Sequence, residues 1–252
     1  MAYAQRLDAF LASREIGRTL TLDALRRGIR LTPVIRSASD VAQYADHALA
    51  IVDEEYSPPL DCHEGCSYCC CKPGVLVSIP ELLRVLEYVR STFDAESISA
   101  LHARAQRYVD LLEGRSFNEL VDDSVPCPLL IDGRCSVYAL RPLVCRGYNS
   151  TDVDACREAH RDSTVLVPTF SVLKDVTDGA TVGVAQGLED LGCNPALVDL
   201  GTALHLALDA GDGFSQAILD GGTALRTAEN ASWVADLWAR VSETARQVGI
   251  RP

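Results

Sequence analysis

The chain has 252 residues, and 48% of them are hydrophobic, enough to bury a sizeable core, so neither a disordered segment nor a disulfide-stapled miniprotein fits. Its 23 basic and 35 acidic residues give a formal charge of −12, which argues against nucleic acid or an anionic membrane as partner, since both require a basic face. Ten residues are cysteine, and nine of these fall between Cys62 and Cys156.

At the start of the chain, Arg6 and Asp8 interrupt the apolar stretch that a secretory signal would need. No window approaches the roughly 18 uncharged apolar residues of a membrane span. Both observations predict a cytoplasmic protein with reduced thiols. Residues 1–57 read as an N-terminal helical segment, clearest over 40–56, where Val41, Ala45, Ala48, Leu49 and Val52 recur at helical spacing. Ser39 or Asp40 is the expected N-cap, and Ser57-Pro58-Pro59 ends the helix because proline drives the residue before it out of the helical region.

Residues 58–162 form the cysteine module. Within it, 74–78 reads as a short strand, and Ser78-Ile79-Pro80-Glu81 has capping-box spacing ahead of Leu82, Leu83, Val85, Leu86 and Val89. A helix is predicted over 96–112, closed by Gly114. Pro126-Cys127-Pro128 and Asp132-Gly133 are turn chemistry, and Thr151 or Asp152 starts a short helix carrying Cys156 and His160. Residues 163–252 form a C-terminal helical segment with helices near 170–191, 195–210, 214–227 and 231–248. Leu197, Val198, Leu200, Leu204, Leu206 and Leu208 are spaced too closely for one narrow stripe, so that helix is expected to be buried over much of its surface. His205 is expected as a hydrogen-bonded core residue, and Trp233 and Trp238 as core residues. The three segments together predict one compact unit of mainly α fold, with helical flanks around a central cysteine-rich module of short irregular or β segments.

The first cysteine group is Cys62-His63-Glu64-Gly65-Cys66-Ser67-Tyr68-Cys69-Cys70-Cys71, and the second comprises Cys127, Cys135, Cys145 and Cys156. Thiolates two or three residues apart on a turn can converge on one soft cation. Buried free thiols do not explain such clustering. Disulfides need an oxidising compartment, and a bridge between adjacent residues such as Cys69 and Cys70 closes a strained ring. Metal ligation is the reading that accounts for the pattern, with Cys71 and Cys193 as bystanders. From Cys127 to Asp162, five arginines balance five acids, so this stretch is neutral in an acidic chain. Arg141 and Arg146 bracket Cys145 and are candidates to offset thiolate charge and donate hydrogen bonds from just outside the ligands. The bland alternative is that these arginines are solvated or paired with Asp132, Asp152 and Asp154.

Cys-x3-Cys-x2-Cys-Cys, then Cys127-Pro-Leu-Leu, Gly-Arg-Cys135-Ser-Val-Tyr and Arg-Pro-Leu-Val-Cys145-Arg-Gly-Tyr-Asn-Ser, resemble the YkgJ-type cysteine-cluster family over about residues 60–160. That family is described as zinc- or iron-chelating. The resemblance implies Cys62, Cys66, Cys69, Cys70, Cys127, Cys135, Cys145 and Cys156 as its eight cysteines, with Cys71 an extra neighbour that leaves Cys70 and Cys71 to compete for one place. It fixes no reaction, although a related module is associated with flagellin lysine methylation using an iron–sulfur cluster.

Zinc and iron–sulfur clusters both accept all-cysteine ligation. The three-residue step from Cys62 to Cys66, with Gly65 before the second cysteine, departs from the usual zinc knuckle and favours a cluster. Cys62, Cys66 and Cys69, with Tyr68 before the last, also fit the radical S-adenosylmethionine pattern, but a helix and Ser57-Pro58-Pro59 stand where that fold needs a strand. His63 and Glu64 are solvated turn residues or, on the sharper reading, a ligand or proton carrier. Tyr148-Asn149-Ser150 lines a pocket or caps a helix. There is no Walker loop, dinucleotide fingerprint or His-Glu-x-x-His motif. The expected function is a metal-binding protein holding an iron–sulfur cluster or zinc, with redox or group-modifying activity toward an unknown protein or small-molecule partner. The alternative is a structural zinc module that shapes an interaction surface.

Overall fold

The computed structural model describes residues 3–115, 120 and 123–230, and within these the fold is mainly α with only short strands. Helix α1 (Tyr3–Leu25) turns at Gly28, φ +127°, into α2 (Leu31–Tyr56). α2 begins at Leu31, well ahead of the expected cap at Ser39 or Asp40. Pro33 lies in its first turn, where a missing N–H costs nothing, and the Ser39 hydroxyl donates back to Ile35 O at 2.9 Å inside the helix. The helix ends at Ser57, extended at φ −77° and ψ 141°, as the following prolines require.

The expected strand at 74–78 shortens to β1 (Leu76–Val77), followed by α3 (Ile79–Thr92) and α4 (Ala95–Leu112). Glu81 closes the start of α3: its Oε2 accepts from the Ser78 N–H at 2.9 Å and from the Ser78 hydroxyl at 2.8 Å. Asp94 caps α4 through the Ser97 N–H at 2.8 Å, and Gly114, φ +69°, lies just past its end. Next comes a hairpin of β2 (Leu130–Ile131) and β3 (Arg134–Cys135), turned by Asp132 and Gly133 at φ 48° and 75°, the two positive values a two-residue hairpin loop demands. Helices α5 (Leu143–Gly147), α6 (Val153–Ala159) and α7 (Ser171–Asp190) follow.

The leucine-rich run expected as one helix over 195–210 divides. Its first part is β4 (Leu197–Asp199), paired antiparallel to β1 and to β5 (Glu229–Asn230), and helix α8 (Leu200–Ala210) starts where Asp199 accepts from the Thr202 N–H at 2.9 Å. A continuous apolar run serves a buried strand as well as a buried helix, and here the open edge of β1 recruits it. The helix expected at 214–227 shortens to α9 (Phe214–Leu219), stopped by Gly221 at φ +84°. The helix expected at 231–248, with Trp233 and Trp238, lies outside the described residues.

α1 and α7 run parallel in close contact. A Cβ at Gly179 would lie 2.2 Å from Phe10 O, one at Gly183 2.1 Å from Arg14 O, and one at Gly187 2.9 Å from Thr21 Cβ. Glycines one helical turn apart thus let the two backbones touch. Arg6 grips Asp175 through two bonds of 2.7 and 3.0 Å, and Arg18 holds Asp190 at 2.7 Å. The main core joins α2, α7 and α8 of the flanks with α3 of the 58–162 segment and with Leu129, Val137 and Leu143 near the cysteines, so the flanks supply apolar burial that the cysteine-bearing segments could not build alone. His205 is partly buried and stacks on His102 at 5.5 Å between ring centroids. Its Nδ1 is buried with no hydrogen bond among the described residues, unlike the satisfied core histidine expected. No helix among the described residues is long and apolar enough to cross a membrane.

Candidate metal centre

Short elements, each fixed by a local device, carry the cysteines. After α2 the chain turns at Gly65, φ +95°, where the Cys66 N–H donates to His63 O at 3.1 Å. A 3₁₀ turn, Tyr68–Cys71, then presents three consecutive cysteines. His63 and Glu64 are exposed, and His63 Nδ1 lies 2.9 Å from Asp61 O, which fits turn residues.

Two sets of backbone contacts dock the second cysteine group on the first. In one, the Cys127 N–H donates to Cys70 O at 2.8 Å and the Val125 N–H to Cys71 O at 2.9 Å. The β2–β3 hairpin then returns Cys135 beside Cys127, since Leu130, which pairs with Cys135, also donates its N–H to Cys127 O at 2.9 Å. In the other, the Asp61 N–H donates to Ser150 O at 2.9 Å, while the Ser150 N–H donates to Cys62 Sγ at 3.1 Å. Asp152 caps α6, Asp61 Oδ2 accepts from the Val153 N–H at 3.1 Å, and Arg157 of α6 donates to the Tyr68 hydroxyl at 3.1 Å. α6 carries Cys156, so these bonds seat Cys156 over the first cysteine group.

The electrostatics have the same two-sided pattern. Cys66, Cys156 and Cys69 lie within electrostatic reach of Cys62, whereas Cys127, Cys69 and Cys135 lie within reach of Cys145. Cys69 belongs to both neighbourhoods. Burial pushes the Cys127 thiol up to about 12 and Cys145 well above its ordinary range, with neighbouring thiols adding to both shifts. Cys62 is also raised, first by desolvation, although the Ser150 N–H pulls it down. Thiolates crowded in this way need a countercharge, which a soft cation supplies. The donor set thus suits zinc or iron in its chemistry. Among the described residues, however, no three His, Cys, Asp or Glu side chains stand close enough to hold a metal ion as placed. The sulfurs share a neighbourhood rather than a formed coordination sphere.

The two flanking arginines separate. Arg141 lies within reach of Cys69 and Cys135 and favours their charged forms, and its guanidinium stacks 3.8 Å from the Tyr138 ring centroid. Arg146 donates to Arg141 O at 2.6 Å, to Ala139 O at 2.9 Å and to the Asp46 carboxylate of α2. The Asp46 bond ties α5 to α2, and all three direct the guanidinium to oxygen, not sulfur. Cys71, expected as a bystander, lies within reach of Cys127, and Cys193 has no other cysteine in reach among the described residues. Asn149 bridges to Phe170: its Oδ1 accepts from the Phe170 N–H at 2.7 Å and its amide donates to Phe170 O at 3.1 Å, while Tyr148 lies exposed among Cys69, Cys145 and Cys156.

Sequence reasoning gave Glu81 only a capping role. Its second oxygen, Oε1, accepts from the Leu143 N–H at 2.8 Å, so one buried carboxylate closes α3 and positions the helix bearing Cys145. The capping-box spacing was a signal for the first role and none for the second.

No curated protein and no solved structure matches the chain. Residues 61–165 match the family model CxxCxxCC, described as "putative zinc- or iron-chelating domain", and this is the cysteine-cluster family that the two groups resemble.

Proposed function

We propose that the protein is a cytoplasmic metal carrier or metalloenzyme whose eight cysteines, Cys62, Cys66, Cys69, Cys70, Cys127, Cys135, Cys145 and Cys156, hold an iron–sulfur cluster or zinc. The observation that carries this reading is the docking of the second cysteine group onto the first through Cys70 O, Cys71 O and Cys62 Sγ. When bound, the metal group would supply charge compensation and, as a cluster, electron transfer or substrate activation toward a protein or small-molecule partner. The chain's own residues hold the donors in place, and Arg141 balances their charge. The step from Cys62 to Cys66 favours a cluster over zinc.

Anaerobic purification followed by absorption spectroscopy and metal analysis tests the reading. Brown protein containing iron and acid-labile sulfide supports the cluster, and colourless protein with near-stoichiometric zinc supports the structural zinc module. Protein that holds neither, and takes up neither after reduction, would sink the proposal.

A further inference from the structure

We infer that the cysteines form two separate metal centres that cross the sequence groups: an outer one around Cys62, Cys66 and Cys156, and an inner one around Cys127, Cys135 and Cys145. The Tyr68–Cys71 turn lies between them and supplies the remaining ligand to each. This rests on the metal-binding reading above and sharpens it. Chain order suggests a different division, in which Cys156 belongs with Cys145 and the first group closes on itself. The structure joins them otherwise.

Cys156 rides on α6, and α6 is fastened to the first group. The Ser150 N–H lies on Cys62 Sγ, Asp61 binds the Ser150 carbonyl and the Val153 N–H, and Arg157 reaches the Tyr68 hydroxyl. His160, which follows α6, has its ring 6.1 Å from that of Tyr68. Cys127 and Cys135 are fastened to the other end of the same turn, through Cys70 O and the hairpin register Leu130 to Cys135. Cys145 reaches that end because Glu81 fixes the start of α5 through the Leu143 N–H. Two independent sets of bonds thus flank one turn of three consecutive cysteines.

The division also solves a geometric problem. Three adjacent residues cannot all point at one tetrahedral centre, but neighbours on a tight turn diverge, so one can face each side. Structural sites of soft metals take about four ligands, so eight thiolates divide into two sites with none left over. The two surroundings differ as well: Cys62 is exposed, whereas Cys127 and Cys145 sit deeper in the protein. The outer centre is therefore expected to exchange its metal faster.

The test is an anaerobic titration of the reduced full chain with cobalt(II), followed by thiolate-to-cobalt charge-transfer absorption. About two equivalents are expected. Cys62→Ser and Cys156→Ser are each expected to lose the same equivalent, so that the double variant Cys62→Ser/Cys156→Ser loses no more than either single one. Cys62→Ser/Cys145→Ser is expected to lose both. Circular dichroism and the matching alanine variants check that each protein is folded. A single equivalent in the unaltered chain overturns the division, as does loss of only one equivalent in Cys145→Ser/Cys156→Ser. Absence of any cobalt binding would defeat the metal-binding reading itself.

Discussion

The α1–α7 pair and the cysteine module are held by opposite means. Between the helices, backbone meets backbone over Gly179, Gly183 and Gly187, with Arg6 on Asp175 at one end and Arg18 on Asp190 at the other. That interface is complete without a ligand. The cysteine-bearing segments, 61–71 and 127–159, are short turns and helices such as Leu143–Gly147 and Val153–Ala159, joined by hydrogen bonds around thiols whose ionisation burial and neighbouring thiols oppose. Apart from Leu129, Val137 and Leu143, these segments bury few large apolar side chains, and on the metal-binding reading their stabilising partner is a cation. On that reading, a scaffold that owes nothing to the metal carries segments that depend on it, and these are expected to lose or exchange metal without unfolding the chain.

The largest effect that bears on this contrast is expected at Gly183. A methyl group there falls 2.1 Å from Arg14 O and 2.8 Å from Arg18 N, both backbone atoms that cannot swing aside. Gly183→Ala is expected to cost about 3 kcal/mol as the helices separate. A urea titration reads this directly, and the loss should be equal with and without metal. An unchanged midpoint would show that the helices do not pack this closely.

Metal removal is the converse experiment. Metal supplied at about 100 times its dissociation constant stabilises the form that binds it by about 2.7 kcal/mol. Chelation is expected to remove that stabilisation and to raise amide exchange over 61–71 and 127–159, while α1 and α7 stay protected. Hydrogen-exchange mass spectrometry distinguishes the two regions, and loss of protection throughout would erase the contrast.

Glu81→Gln comes next. It replaces the carboxylate oxygens that serve Ser78 and Leu143 with one acceptor and one donor, so a buried N–H loses its partner, at a cost of about 1–2 kcal/mol. Because Glu81 positions α5, the variant is also expected to weaken metal uptake at the Cys145 side and leave the Cys62 side intact. Equal weakening on both sides would show that Glu81 acts on the fold alone.

What was legible in the sequence were features with short-range causes. Ser57 before two prolines, Glu81 three residues after Ser78, Asp132-Gly133 in a hairpin and Asp152 before α6 are each set by neighbours within a few positions, and the structure has all four. The spacing of the cysteines likewise identified their chemistry. Features that depend on distant partners were not legible. Leu197 and Val198 became strand only because β1 offers an edge more than a hundred residues earlier in the chain. Arg146 is drawn from the thiols to Asp46, 100 residues away. Gly179, Gly183 and Gly187 stand one turn apart in plain view, but their spacing does not name α1 as the helix they meet. For the same reason, spacing alone grouped Cys156 with Cys145, and it takes the contacts of Ser150 with Cys62, Val153 with Asp61 and Arg157 with Tyr68 to join it to the first group.

The smallest expected effect tests the edge of the module. Cys193 lies between α7 and β4, its Sγ 3.9 Å from Leu191 O, beside a cavity of about 410 Å³ that it lines with Ile29, Leu188 and Arg226. Desolvation alone raises its thiol, so it shares none of the mutual repulsion that marks Cys127 and Cys145. Cys193→Ser is expected to leave metal content unchanged and to alter stability by less than about 1 kcal/mol, because the thiol is only partly buried and its one contact with a carbonyl is long. Cys66→Ser and Cys145→Ser, by contrast, are each expected to lose metal and lower the unfolding midpoint. Metal analysis and urea titration of the three variants side by side decide the matter: equal metal loss in all three would mean that the module extends to α7, and the boundary between self-sufficient scaffold and metal-dependent module would disappear.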